Sequence, residues 1–235
     1  MVCYDASEEQ DITMTDPATL LWEIRQDLGS VEQAIREHPY VKAVEDGNVR
    51  RERFRFFCGE QFAIIGSDLR SVALLVHRSR TQRSREFFLK VLQGESAAWE
   101  ALRPLARAFG MGEAELLSYE PMPMTQAYPA YMAWLASYAT AAEVAAAFLV
   151  NFPAWGANCG RLSRALREGY GLKPPEVVFL DLFTTAPPGF EEEATAVLEQ
   201  GMARGAEPRT IKQAARLLQG FERLFWDGLW EVSQR

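Results

Sequence analysis

The chain has 235 residues, 48% of them apolar and 24% charged, with a formal net charge of −7. That is enough for one large domain or two small ones with a sizeable core, and the acidic balance argues against a general binder of nucleic acid or of anionic membranes. Three cysteines without CxxC spacing (Cys3, Cys58, Cys159) and only two histidines (His38, His77) argue against a zinc site, and the unpaired thiols fit a reducing cytoplasm.

The N-terminus, MVCYDASEEQDITMT, is acidic and lacks the apolar run of a signal peptide, so residues 1–14 read as a mobile tail before a domain at 15–235. The first helix is expected in TDPATLLWEIRQDL, with Thr15 or Asp16 as N-cap and Pro17 in its first turn. His38, in EHPY, reads as a turn residue near a helix start. Further helices are expected near 50–79, 82–108, 111–118, 125–151, 153–169, 175–184, 189–204 and 208–233. Gly110, Gly171, Gly189 and Gly205 and the turns KPP and APPG punctuate them. No segment sustains the period-2 alternation of a strand. The segment HRSRTQRSR at 77–85 reads as a solvated helix end, or otherwise as a site for phosphate or an acidic partner. It has no interleaved aromatics to suggest nucleic acid.

From Pro121 to Gly160 the only charged residue is Glu143. The stretch AYPAYMAWLASYATAAEVAAAFLV is long enough to cross a bilayer, but it is Ala-rich and carries Glu143 near its centre, which favours a buried core helix.

The same anomaly recurs twice. In the last helix Ile211, Ala215, Leu218, Phe225, Trp226 and Leu229 share one stripe, and Glu222 falls in its middle. In ERFRFFCGEQFAIIGSDLRSVALLV, apolar residues cover most of the wheel, yet Glu60, Ser67 and Ser71 form one line with Asp68 beside it. Buried polar groups must meet each other, water or a ligand. Glu60, Glu143 and Glu222 on three inward-facing helices suggest a polar pocket inside an all-α core.

With the order of its motifs in view, the chain resembles the TenA / thiaminase II family. The resemblance rests on HPYVKAVEDGNVRRERFRFF, on YPAYMAWLASYATAAEVAAAFLVNFPAW and on FERLFWDGLWE, and spans roughly residues 35–232. It implies a heme-oxygenase-like helical bundle, a homodimer or homotetramer, and a small-molecule ligand. Glu222 takes the place of the family's C-terminal catalytic Glu and Tyr131 that of its ring-stacking Tyr. Gln61 stands where the family has the Asp that grips the aminopyrimidine, Ile64 and Phe183 stand for two tyrosines, and Phe152 or Ala154 stands for the nucleophilic Cys. Cys159 lies more than a helical turn beyond that position. Without a nucleophile there, covalent displacement of the thiazole moiety of thiamine is not expected.

The same fold hosts pyrroloquinoline-quinone synthase and di-iron oxidases. Against the di-iron pattern Glu60, Glu143 and Asp181 match the carboxylates, but the imidazole positions read Ser67, Val177 and Thr184. Three carboxylates without imidazoles make a poor iron site, so neither metal nor cofactor is expected. The resulting expectation is a cytoplasmic protein with Glu222 as catalytic residue. Glu60, Gln61, Tyr131, Glu143, Phe152, Trp155 and Phe183 are the candidate ligand contacts. As an enzyme it would be a hydrolase or oxidoreductase of this superfamily acting on a heteroaromatic compound. The alternative is an oligomeric interaction or regulatory module with a vestigial pocket.

Overall fold

Local signals start and stop most helices where the sequence places them. The structure, a computed structural model, describes residues 16–234; the tail expected over residues 1–14 lies outside the described residues. In α1 (Pro17–Arg36) the Asp16 side chain accepts from the Thr19 N–H at 3.0 Å, and Pro17 occupies a first-turn position where no N–H is needed. α2 (Pro39–Glu45) is a short helix that periodicity did not single out. His38 caps it: Nδ1 accepts from the Tyr40 N–H, while Nε2 lies 3.0 Å from Asp227 Oδ1, far along the chain. α3 (Phe54–Arg78) and α4 (Gln82–Ala108) meet at the Arg-rich turn, where the Thr81 hydroxyl caps α4. α5 (Glu113–Leu117), α6 (Ala127–Tyr138), α7 (Ala141–Tyr170), α8 (Val178–Asp181), α9 (Phe190–Met202) and α10 (Pro208–Gln234) follow, and no strand occurs among the described residues.

Two boundaries differ from expectation. The helix expected over 125–151 is divided at Ala139–Thr140, and the break expected at Pro153 does not occur. Thr140 and Glu143 form a capping box, in which the Thr140 hydroxyl accepts from the Glu143 N–H and the Glu143 carboxyl accepts from the Thr140 N–H. Glu143 is therefore a helix start, and its expected place in a pocket is corrected: it is spent on backbone donors. Pro153 has no N–H for the Leu149 carbonyl. The helix continues regardless, because α1, α2, α9 and α10 pack along α7 and bury it on both sides of the proline.

The packing resolves into two helix pairs. α3 lies on α4, α7 lies on α10, and α6 packs against both α3 and α10. Apolar side chains fall into two clusters. One is built around Phe54, Phe57, Phe179 and Trp226, the other around Leu20, Phe87, Leu135 and Leu218, and Tyr128 packs against both. No helix among the described residues is long and apolar enough to cross a membrane.

Removing the capping box should be felt only as stability. Glu143→Ala is expected to lower the unfolding free energy by about 1 kcal/mol in urea titrations, the typical loss for an N-terminal cap. Ligand affinity in the same variant should match wild type.

Candidate functional site

α10 carries Glu222 into the core because its neighbours leave no choice. Ile211, Leu218, Phe225, Trp226 and Leu229 are all buried, each contributing about 1.5–3 kcal/mol, which together outweighs the cost of enclosing one hydrogen-bonded carboxyl. Glu222 is 3% exposed. The Trp226 indole N–H donates to its Oε1 at 3.1 Å, and the Asn151 amide of α7 donates to its Oε2. The same amide donates to Gln219 Oε1 at 3.3 Å, which leaves the buried Gln219 Nε2 without a partner. The acid is thus held by neutral donors on α7 and α10 and by no cation.

Glu222 lines a cavity of about 280 Å³ where the two apolar clusters meet. The α3–α4 pair contributes Gln61, Ile64, Ile65, Asp68, Phe87 and Glu95 to the wall. The α7–α10 pair contributes Phe148, Asn151, Phe152, Trp155, Glu222 and Phe225, and Tyr128 of α6 stands between the pairs. Phe183 arrives from the segment after α8. A Cβ on Gly156 would lie 2.5 Å from the Phe183 carbonyl oxygen, so glycine is what lets this segment press against α7. Trp155 packs edge-on to both Phe183 and Phe225, at ring separations of 5.7 and 5.9 Å. Flat apolar walls with a few convergent polar groups are the usual form of a small-molecule site.

Of the residues singled out in the sequence, the cavity collects Glu222, Gln61, Phe152, Trp155 and Phe183. It does not collect Glu60, Tyr131 or Glu143. Glu60 is fully enclosed, but it faces the segment between α5 and α6. Its carboxyl accepts from the Tyr119 hydroxyl (2.7 Å), the Met122 N–H (2.8 Å), the Thr125 hydroxyl and the Gln126 amide (3.2 Å). Gly59 makes room for this, since a Cβ there would meet the Tyr119 ring at 2.5 Å. Tyr131 stacks on Trp134 and meets Phe221 at a tilt on the outer side of α6, and Tyr128, one turn earlier, faces the cavity instead. Asp181 receives the Ser163 hydroxyl. Glu60, Glu143 and Asp181 are thereby each engaged elsewhere. No group of three His, Cys, Asp or Glu side chains able to hold a metal occurs among the described residues.

Six polar lining residues were not picked out as site residues: Asp68, Lys90, Glu95, Tyr128, Asn151 and Glu193. Asn151 sits in an otherwise apolar run, AFLVNFPAW, and that isolation was a usable signal. Tyr128 and Tyr131 share the motif AYPAY, and spacing alone does not separate them. Glu95 belongs to a helix with a charged outer face, which hid it. Among the described residues no cysteine lines the cavity. Cys58 and Cys159 are buried elsewhere in the core, and burial pushes both thiols up.

Comparison with known proteins agrees with this architecture. The family model described as TENA/THI-4/PQQC matches residues 25–232. A curated relative, the aminopyrimidine aminohydrolase of Halalkalibacterium halodurans, is 26% identical over 113 residues; the match covers 48% of this chain and 50% of that protein. Among solved structures, a TenA homologue from Pseudomonas syringae superposes with a TM-score of 0.77 at 11% identity, covering 93% of this chain and 96% of that one. Heme oxygenase-1 from Synechocystis superposes with a TM-score of 0.62 at 12% identity, covering 91% of each, so the bundle is heme-oxygenase-like.

Burial pushes the Glu222 carboxyl up to about 8, against the opposing pull of the Trp226 and Asn151 donors. Burial also raises Glu95 to about 7 and Asp68 well above the usual carboxylate range. A raised folded-state value means that the native protein binds more protons than the unfolded chain between roughly pH 4.5 and 8. Stability therefore falls as pH rises through that window. His38, lowered by burial, acts in the opposite sense but only near and below its ordinary value of 6.5. Urea unfolding between pH 7 and 8 should show wild type losing stability faster than Glu222→Gln, by up to about 1.4 kcal/mol per pH unit. Parallel slopes would show that Glu222 is ionised throughout.

Proposed function

The chain belongs to the TENA/THI-4/PQQC family, and from that premise we propose that its cavity binds a small aminopyrimidine-like heteroaromatic compound and acts on it through Glu222. One observation carries the reading: Glu222 is a buried acid hydrogen-bonded by neutral donors, with its carboxyl facing the cavity, and burial pushes that carboxyl up to about 8. A group poised near neutrality is suited to both halves of acid–base catalysis.

An aminopyrimidine presents a ring nitrogen beside an exocyclic amine. Protonated Glu222 donates to the ring nitrogen while its other oxygen accepts from the amine. Phe152, Trp155, Phe183 and Phe225 supply the apolar walls. The proton on Glu222 can pass to a departing amine as water adds to the carbon it leaves. The bond broken is C–N, the bond formed is C–O, and the water proton returns to the carboxylate. This accords with the name of the Halalkalibacterium halodurans relative, an aminohydrolase. With no thiol of the described residues on the cavity wall, the proposed chemistry is hydrolytic and proceeds without a cysteine adduct.

Glu222→Gln tests the proposal. In the absence of ligand the variant should be at least as stable as wild type near neutrality, since the replaced group has no ion-pair partner and the variant has no carboxyl there to ionise on unfolding. Calorimetry with 4-aminopyrimidines should show wild type binding and the variant weakened at least tenfold, with turnover abolished. A loss of about 3–5 kcal/mol in the free variant, as for a broken buried ion pair, would overturn it if no compound also stabilised wild type over the variant. That outcome favours the interaction-module alternative.

A further inference from the structure

Three polar side chains meet at Glu222, and their hydrogen bonds do not balance. The Asn151 amide nitrogen donates to both Glu222 Oε2 and Gln219 Oε1, and the Trp226 indole donates to Glu222 Oε1. Gln219 is fully enclosed, yet its own amide nitrogen has no partner. A buried donor left alone is costly, and a carbonyl oxygen with a spare lone pair is tolerated better. The arrangement also suits one charge state only. An ionised carboxylate accepts and does not donate, so two donors fit it. A neutral carboxyl carries an O–H, which neither Asn151 Nδ2 nor Trp226 Nε1 can receive.

We propose that Asn151 is a positioning residue whose amide turns end over end with the proton of Glu222. When Glu222 is ionised, the amide stands as in this structure and donates. When Glu222 is neutral, Asn151 presents Oδ1 at the same place. There it accepts the carboxyl O–H and, once Gln219 has turned likewise, an N–H from Gln219. The enclosed donor gains its partner, and the atom left over is a Gln219 carbonyl oxygen. A primary amide suits this task because its two ends are nearly alike in size and each makes two hydrogen bonds. That accounts for a lone asparagine in the apolar run AFLVNFPAW. The inference rests on the reading of Glu222 as an acid that gives up and regains a proton, and it adds what steadies that acid in both states. When a ligand takes the proton, Asn151 turns back and donates to the carboxylate that remains. The other ionisable groups around Glu222 do not hydrogen-bond to it. Glu32 and Arg36 of α1 act on it through space in opposite senses, and burial pushes up Tyr128 of α6, Cys159 of α7, and Asp68 and Glu95 across the cavity. His38, before α2, is engaged by Asp227.

The test needs no ligand. The chain has three asparagines, Asn48, Asn151 and Asn158, so selective nitrogen labelling of asparagine gives three side-chain amide signals in NMR spectra. Asn151→Leu identifies the relevant one by its loss. The Trp226 indole N–H, bonded to Glu222, reports the charge of the carboxyl. Both signals are followed from about pH 6 to about pH 10, on either side of the value of about 8 to which burial pushes Glu222. At high pH the Asn151 amide protons should show cross-relaxation with the Trp226 indole proton, since both sit on one carboxylate. At low pH that contact should vanish, with the same midpoint as the indole shift. Glu222→Gln should remove both transitions. Asn151→Leu, which neither donates nor accepts, should raise the indole midpoint by about one pH unit, a tenfold gain in proton affinity, because the bond lost to a carboxylate is stronger than the one lost to a neutral acid. An indole that titrates while the Asn151 contact persists throughout shows a fixed donor, and it refutes the turning amide while the acid of the proposed function stands. An indole that does not titrate at all shows a Glu222 of constant charge, and both readings fail together. The wild-type titration decides between these outcomes even if Asn151→Leu does not fold.

Discussion

Everything around the cavity follows from one conflict on the last helix. The stripe of Ile211, Leu218, Phe225 and Leu229 must be buried for α10 to dock at all, and Glu222 sits in the middle of that stripe. A bare charge there would be too costly to desolvate. The fold answers by surrounding the carboxyl with neutral donors on α7 and α10 and by keeping its proton. Asn151 interrupts the Ala-rich helix at the level where Glu222 arrives, and the Trp226 indole turns back toward its own helix one turn earlier. The remaining surface of the acid opens onto the cavity.

Two helix pairs divide the labour of holding that space open. α3 with α4 and α7 with α10 each make a tight contact, and direct packing between α3 and α10 is slight. α6 bridges them, and its approach is fixed by Glu60, whose carboxyl gathers four donors from the segment leading into α6. The buried acid in α3 that looked most like a ligand group is therefore a tether. By anchoring the segment 119–126 it sets where Tyr128 stands between the two pairs.

The all-helical architecture was legible because the apolar period repeats without a strand-like stretch, and because start signals such as Thr15 or Asp16 before Pro17 announce themselves. Glu222 was legible because an acid on the most aromatic turn of an amphipathic helix contradicts its surroundings. Which of the three acids faces the cavity was not legible. A helical wheel gives direction but not what lies opposite: Glu60 meets donors of the segment before α6, and Glu143 meets the Thr140 N–H, and the wheel contains neither. The Thr140-x-x-Glu143 spacing did announce a helix start, but the apolar residues on both sides of it read as one continuous helix. Glu95 went unnoticed for the converse reason: α4 carries charge on its solvent face, and one further acid does not disturb that pattern.

The wall residues of the cavity come from positions 61 to 225, so its closure is a long-range event in chain order. Synthesis proceeds from the N-terminus, and α3, α4, α6 and α7 emerge before α10 does. Until that helix docks, the nascent bundle presents a groove of phenylalanine, isoleucine and tryptophan side chains with nothing covering it. His38 waits in the same interval for Asp227, its partner 189 positions later in the chain. The aromatic surface that lines the cavity in the finished protein is thus exposed apolar surface during synthesis, when it is most prone to aggregate.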